Sequence, residues 1–207
     1  NIIVKGNEIT EEKVIRNNLF FSEGDRFNST NLNKSTDSLK SLGIFKNIKI
    51  DVLDSKNSKN GNLVVSVDEK PTGEISAGLG YGTSGAAISF AIKEKNFLGK
   101  GIESNISMQL GSEKVLGIIS LSDPDFSDTG NSLKGSFFVS QYTYDNAGYD
   151  NKVIGSSLSK SYRAFKDVNF ETGFLADYDT IDVQSGATNL IKSRDGSYLT
   201  TKFFYNV

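Results

Sequence analysis

Residues 102–110 read IESNISMQL, and this stretch decides how the second part of the chain is interpreted. Apolar side chains recur at every second position from Ile102 to Leu110, interrupted only by Ser104, and polar side chains fill the positions between them. Successive side chains of a β-strand point to opposite faces of the sheet, so this alternation predicts a strand with one apolar and one polar face.

The same alternation continues through residues 72–207, broken by glycine-rich or polar segments. It predicts no helix and eight strands, near residues 74–82, 86–95, 102–111, 115–123, 132–143, 151–161, 168–178 and 197–207. Strands of about ten residues cross a hydrocarbon core when tilted, and their repetition is typical of a transmembrane β-barrel. Aromatic residues fall near the predicted strand ends, where such barrels carry an aromatic girdle: Tyr81, Phe97, Phe126, Tyr142, Tyr144, Tyr162, Phe165 and Tyr198. The fourth strand is apolar on both faces, which periodicity alone does not explain.

Composition excludes several functions. The chain has no His and no Cys, so it cannot hold a Ser-His-Asp or Cys-His catalytic system, a disulfide or a His/Cys zinc site. Its net charge is −2 and it has no basic stripe with interleaved aromatics, which argues against nucleic-acid binding. Asp123, Asp125 and Asp128 lack the spacing of a calcium loop and are interpreted as a polar turn. We expect no catalysis and no cofactor.

The pattern is different before Pro71. A strand at residues 2–5 is followed by a short helix with Thr10 as its predicted N-cap, and a second helix begins near Asn28 and ends at Leu42. Gly43 is the expected residue after the second helix, because glycine enters the left-handed conformation without strain. Two alternating strands follow, joined by a predicted tight turn at Asn60-Gly61. The predicted order is β-α-α-β-β, an α+β fold.

This order resembles a POTRA domain over residues 1–70. The resemblance is carried by Gly6-Asn7 after the first strand, by residues 41–45 (SLGIF) closing the second helix, and by residues 67–70 (VDEK) ending the last strand. The chain begins at Asn1 without an initiator Met or a signal peptide, so we expect a fragment or a mature piece.

Three strings in the second part resemble the BamA family of outer-membrane β-barrel assembly proteins: residues 78–82 (GLGYG), 94–101 (EKNFLGKG) and 122–126 (SDPDF). The resemblance implies the last POTRA domain at residues 1–70 and the N-terminal half of a sixteen-stranded barrel at residues 71–207. It implies assembly and insertion of barrel proteins in the outer membrane of Gram-negative bacteria, with the POTRA domain in the periplasm. The implied partners are unfolded outer-membrane proteins, the lipid bilayer and assembly-machine lipoproteins such as BamD.

The resemblance also implies that the first barrel strand forms a lateral gate, at which client strands pair and exit into the membrane. Its residues are Ile75, Ala77, Gly78, Leu79, Gly80, Tyr81 and Gly82. A barrel closes by pairing its first strand with its last. Glycine weakens a strand by roughly 0.5–1 kcal/mol relative to alanine, so the seam between these two strands is expected to open most easily. The alternative is that these glycines thin the wall for interior packing. The G-x-G-x-x-G pattern at residues 80–85 is not interpreted as a nucleotide site, because a strand rather than a helix is predicted after it.

Arg16 and Glu23 match the charged pair that the BamA family directs at BamD, and an ordinary solvated ion pair is the alternative. The edge of the POTRA sheet is also a candidate for strand addition by an unfolded client. Two other functions stay open. One is a translocation pore of the two-partner secretion or TamA type, in which the client passes through the lumen. The other is a complete eight-stranded barrel acting as an anchor or adhesin. The stretch from Asp179 to Gly196 is expected to be an external loop.

Overall fold

The computed structural model describes residues 1–53, 62–82, 85–165 and 168–207. They form two compact units: the first comprises Asn1–Gly73 and Glu94–Ile102, and the second comprises Glu74–Lys93 and Glu103–Val207. A short segment of the predicted barrel half therefore belongs to the first unit. The division into domains at residue 71 stays a prediction, and the predicted turn at Asn60-Gly61 lies outside the described residues.

The first unit is an α+β domain with a three-stranded sheet. Its elements are β1 (Ile2–Lys5), α1 (Glu12–Asn17), α2 (Ser29–Ser41), β2 (Phe45–Leu53) and β3 (Asn62–Glu69). The sheet order is β1-β3-β2, with β1 parallel and β2 antiparallel to β3. The predicted β-α-α-β-β order is confirmed.

The helices pack on this sheet around a core of Ile15, Leu39, Ile44 and Val65, each at most 2% exposed. Helix α2 ends where predicted: Gly43 follows it with φ +66°, a conformation that costs glycine little and other residues more. Its beginning is also as predicted, because the Asn28 side chain accepts a hydrogen bond from the backbone N–H of Thr30 at 2.8 Å.

The predicted role of Thr10 as N-cap of α1 is wrong. The N-cap is Glu11, and it makes no side-chain capping bond. Thr10 is only 3% exposed, and its hydroxyl is engaged by Glu69 and Asn96. A hydroxyl held by these two partners is not available to the first turn of the helix.

The second part of the chain contributes an eight-stranded sheet, as predicted, and its strands pair in sequential order. Its strands are β4 (Gly73–Gly82), β5 (Gly85–Phe97), β6 (Ile102–Gly111), β7 (Lys114–Asp123), β8 (Ser132–Tyr144), β9 (Tyr149–Phe165), β10 (Val168–Val183) and β11 (Gly196–Asn206). The pairs from β6 to β11 with a described register are antiparallel.

Two expectations for this part need correction. The sequence predicts no helix here, but the structure has a four-residue helix, α3 (Asn189–Lys192), and a 3₁₀ turn at Phe126–Asp128. The expected loop from residue 179 is shorter than predicted, because β10 continues to Val183 and pairs there with Tyr149 of β9. No helix among the described residues is long and apolar enough to cross a membrane.

The register explains why β7 is apolar on both faces. Ile118 lies opposite Phe138 of β8 on the otherwise polar face of the sheet. Leu116, Ile118 and Phe138 line a concavity of about 490 Å³ on that part of the sheet, together with serines such as Ser76 and Ser89. The apolar residues of β7 therefore form a local cluster on a face whose other members are mostly polar.

Candidate functional site

The predicted gate strand β4 is an edge of the eight-stranded sheet and is hydrogen-bonded only to β5 among the described strands. Its large side chains are almost fully exposed: Ile75 is 80% exposed, Leu79 85% and Tyr81 90%. An edge strand presents a row of unpaired backbone N–H and C=O groups, which is a template for another strand.

The other face of β4 carries glycines, as the sequence predicts. A Cβ atom at Gly78 would lie 2.8 Å from the Ser89 hydroxyl, whereas one at Gly80 or Gly82 would meet no described heavy atom within 4 Å. Interior packing accounts for a missing side chain at Gly78, but it does not account for Gly80 and Gly82. The end of β4 at Gly82 and the start of β5 at Gly85 also place a strand after the G-x-G-x-x-G pattern.

The opposite edge of the same sheet is β11. In the part of the chain that the structure describes, β4 and β11 do not pair with each other. The sheet is therefore not closed, and the alternative of a complete eight-stranded barrel is wrong for this chain. Each end of the sheet presents an edge.

Arg16 and Glu23 are brought together in the first unit, with Arg16 Nη1 at 3.7 Å from Glu23 Oε1. Arg16 is closer to Glu12, at 2.7 Å. Both side chains also bind the backbone of Ile2 in edge strand β1. The Ile2 N–H donates to Glu23 at 3.2 Å, and the Ile2 carbonyl accepts from Arg16 at 2.9 Å. Both side chains keep substantial exposure, 37% for Arg16 and 56% for Glu23. The pair thus supports the domain while its charged groups remain accessible to solvent.

A second cluster, which sequence analysis missed, holds the β5–β6 turn within the first unit. Asn96 is 7% exposed, and its amide donates from Nδ2 to the Thr10 hydroxyl at 2.9 Å. The Asn96 Oδ1 atom accepts from the Gly101 N–H at 2.8 Å. The Gly99 carbonyl accepts from the Glu11 N–H at 2.8 Å. Residues 94–101 stand out in the sequence only as a family string, because the strand period carries no signal that this turn packs against the POTRA domain.

Glu69, the last residue of β3, anchors the other side of this cluster. Its carboxylate accepts hydrogen bonds from the backbone N–H groups of Glu8, Ile9 and Thr10 at 3.1, 2.9 and 2.7 Å. Burial raises the pKa of Glu69, but hydrogen bonds from the Thr10 side chain and these backbone groups hold it below its usual value. The carboxylate therefore stabilises the segment at residues 8–10 in its charged form.

The described residues contain no group of three or more His, Cys, Asp or Glu side chains arranged to hold a metal ion. What the site offers is backbone pairing at β4 and two polar clusters in the first unit.

The sequence matches two family models. Residues 1–70 match the POTRA model, described as surface antigen variable number repeat, and residues 96–207 match the Omp85 superfamily domain. Among curated relatives, the outer membrane protein assembly factor BamA of Nitratidesulfovibrio vulgaris is 23% identical over 97% of this chain and 25% of that protein. BamA of Buchnera aphidicola is 27% identical over 91% of this chain and 30% of that protein.

Solved structures share the fold. BamA from Haemophilus ducreyi lacking POTRA domains 1–3 superposes with a TM-score of 0.81 at 20% identity, covering 99% of this chain and 42% of that one. CdiB from Escherichia coli superposes with a TM-score of 0.67 at 15% identity, covering 98% and 40%. The chain spans between a quarter and a third of the length of the two BamA relatives. With an Omp85 match over more than half of its residues, preceded by a POTRA domain, the chain belongs to the Omp85 superfamily.

Proposed function

We propose that this chain is part of a factor that assembles and inserts β-barrel proteins in the outer membrane. The POTRA and Omp85 matches together with the BamA relatives indicate a protein of the bacterial outer membrane whose POTRA domain lies in the periplasm. In the proposed function, the POTRA domain receives unfolded outer-membrane proteins, and β4 is the gate edge at which their strands pair.

The observation that carries this proposal is the position of β4 at one end of the sheet, where β5 is its one partner among the described strands. In a hydrocarbon environment every unsatisfied backbone group costs several kcal/mol. A client strand that pairs with β4 enters the membrane with one of its edges already satisfied, which lowers that cost strand by strand. The energy comes from folding of the client, so the proposed function requires no nucleotide and no metal.

The glycine content of β4 supports the proposal that the barrel opens at the seam that includes this strand. Gly80 and Gly82 leave free space where a side chain would fit, and glycine lowers the stability of a strand. A seam that includes this strand opens at lower cost than one built from branched residues.

The test is a double-cysteine pair in the full-length protein that locks β4 to the last barrel strand. The 207 residues contain no cysteine, so the engineered residue in β4 is the only thiol in this part of the protein. Oxidation should abolish insertion of a client barrel into vesicles, and reduction should restore it. Insertion that proceeds unchanged with the pair oxidised would refute the gate.

Arg16 and Glu23 are proposed to contact an assembly lipoprotein such as BamD. Their partial exposure, 37% for Arg16 and 56% for Glu23, supports this role because it leaves both charged groups within reach of a partner. The bonds to Ile2 show that the same side chains also support β1, so a test must separate binding from stability.

A translocation pore is the second candidate function. It is favoured by the polar face of the sheet, where serines of neighbouring strands pair, as in the 2.7 Å contact between the hydroxyls of Ser136 and Ser157. A polar face of this kind suits a water-filled lumen. The two candidates differ in the route of the client, which passes through the lumen in one and sideways past β4 in the other.

A further inference from the structure

The β5–β6 turn contains a buried polar residue whose side chain is satisfied on both sides. Asn96 donates to Thr10 Oγ1 and accepts from the Gly101 N–H, so its amide joins the two arms of the turn to the segment before α1. Thr10 is itself held by Glu69. A continuous set of hydrogen bonds therefore runs from the end of β3 to the turn. Buried polar groups are costly unless they are paired, so this set favours one docked arrangement.

Close backbone approach strengthens the same contact. A Cβ atom at Gly99 would overlap the carbonyl oxygen of Ile9, and one at Gly101 would lie 3.0 Å from Val14 Cγ1. The Gly99 carbonyl is at the same time the acceptor for the Glu11 N–H. Only a residue without a side chain permits this approach at position 99.

The contact between the β5–β6 turn and the POTRA domain also bears on β4, because of where the turn lies in the chain. The turn joins β5 to β6, and β5 is the one described strand that pairs with edge strand β4. We propose that Thr10, Asn96 and Gly99 form a latch that holds the β5–β6 turn on the POTRA domain and positions β5 while clients pair with β4. The role in client pairing rests on the proposed function, whereas the latch itself does not. Thr10, Asn96 and Gly99 are positioning residues, because they act through β5 and do not touch the client.

The first test compares two glycines in the full-length protein. Gly99 and Gly130 lie in two strand-connecting turns with nearly equal φ, +72° and +69°, but a Cβ atom at Gly130 would meet no described heavy atom within 4 Å. Gly99→Ala and Gly130→Ala therefore carry the same backbone strain, and only the first breaks the latch. Amide hydrogen exchange at Glu11 and Gly101 should rise about tenfold in Gly99→Ala. In Gly130→Ala it should stay within about twofold of wild type.

The second test uses the hydroxyl of Thr10 and does not depend on a strained turn. Thr10→Val keeps the shape of the side chain but removes its bonds to Asn96 and Glu69, whereas Thr10→Ser keeps the hydroxyl. Exchange at Glu11 and Gly101 should rise together in Thr10→Val and return towards the wild-type rate in Thr10→Ser. Client insertion into vesicles should slow in Thr10→Val and recover in Thr10→Ser, because serine restores the hydroxyl that Asn96 binds.

Two results would overturn the latch. One is equal exchange in Gly99→Ala and Gly130→Ala, and the other is a rise in Thr10→Val that is confined to residues 8–11 and absent from Gly101. Undisturbed insertion in a Thr10→Val protein with raised exchange would overturn its positioning role. If the wild-type protein inserts no client, the proposed function fails, and the exchange measurements alone decide whether the latch exists.

Discussion

Glu69 is a single carboxylate on which three backbone N–H groups converge. Its removal leaves donors of the segment at residues 8–10 without a charged acceptor. We predict that Glu69→Gln lowers the free energy of unfolding of the POTRA domain by about 1–2 kcal/mol at neutral pH, a range reduced for the partial exposure of the group. Urea unfolding measures this loss. Glu8→Gln is the control, since its exposed side chain accepts none of these bonds.

The pH dependence follows from the same group. Because the pKa of Glu69 is lower in the folded state than in the unfolded state, its contribution is complete above its usual pKa and is lost as the pH falls through the folded value. The stability of wild type and Glu69→Gln should therefore converge in acid. A difference that persists unchanged under acidic conditions would contradict this assignment.

Arg16 contacts two carboxylates, so variants can separate an effect on lipoprotein binding from an effect on the stability of the POTRA domain. Glu12 and Glu23 both contact Arg16, but only Glu23 belongs to the proposed lipoprotein contact. We predict that Glu23→Gln weakens binding of the lipoprotein about tenfold, as the loss of a charge-assisted contact does. Titration of the purified partners measures the affinity.

Glu12→Gln is the matched control, and it should leave the affinity within about twofold of wild type. An equal effect of both substitutions would show that the carboxylates serve only the domain.

The sequence pointed to Arg16 and Glu23, which lie seven positions apart. It could not point to Asn96 as the partner of Thr10, because these residues are 86 positions apart and no local pattern links them.

At the scale of elements, aromatic rings of one strand lie over glycines of the next on the mostly polar face. Phe138 of β8 lies opposite Gly155 of β9, and a Cβ atom at Gly155 would be 2.5 Å from the end of the Phe138 ring and 2.9 Å from Asp177 Cβ. We predict that Gly155→Ala destabilises the sheet by about 1–3 kcal/mol through overpacking. Urea unfolding of the full-length protein in lipid measures the change.

Gly135→Ala is the control for this substitution. Gly135 also faces an apolar residue of β9, Leu158, but the nearest atom would lie 3.9 Å from the new Cβ, an ordinary contact. The substitution should therefore change stability by less than about 0.5 kcal/mol. Equal destabilisation by the two alanines would show that loss of glycine, and not the Phe138 ring, is responsible.

The glycines of β4 allow a prediction about the edge itself. Gly80→Val introduces a strand-favouring side chain into open space and should stabilise β4 by about 0.5–1 kcal/mol. If the seam must open during insertion, this added stability should lower the rate of client insertion about two- to fivefold in a vesicle assay. Gly186→Val, also in open space but outside the strands, should leave the rate unchanged. An insertion rate in Gly80→Val equal to or faster than that of wild type would contradict the proposal that the low stability of β4 helps the seam to open.

Alternation predicted the strands well because one apolar and one polar face repeat throughout the sheet. It failed at the ends of β9 and β10, which extend beyond the predicted segments. Their last pairs include Asp150 opposite Asp182, and polar side chains on both strands gave no alternation to follow. Backbone pairing, which does not depend on side chains, continues there. The short helix α3 was missed for a related reason, since four residues are too few to show a helical period.

At the scale of the whole molecule, the proposed function depends on which surface of the sheet meets the client. The edge of β4 is unpaired among the described strands, while the polar face carries hydroxyl groups such as that of Ser157. Order of secondary structure and family strings predicted both parts of the chain. They could not decide between these surfaces, because the two routes use the same strands.

Site-specific crosslinking of a client strand during insertion would show directly whether the client pairs with β4. Single cysteines at Ala77 and Leu79 of β4 would be compared, in the full-length protein, with cysteines at Val139 in the interior strand β8 and Ser157 on the polar face. If β4 is the gate, disulfides to a single cysteine in the client strand form under oxidation at positions 77 and 79, and none form at positions 139 or 157. Crosslinks at Ser157 without any at Ala77 or Leu79 would contradict it and would favour passage through the lumen.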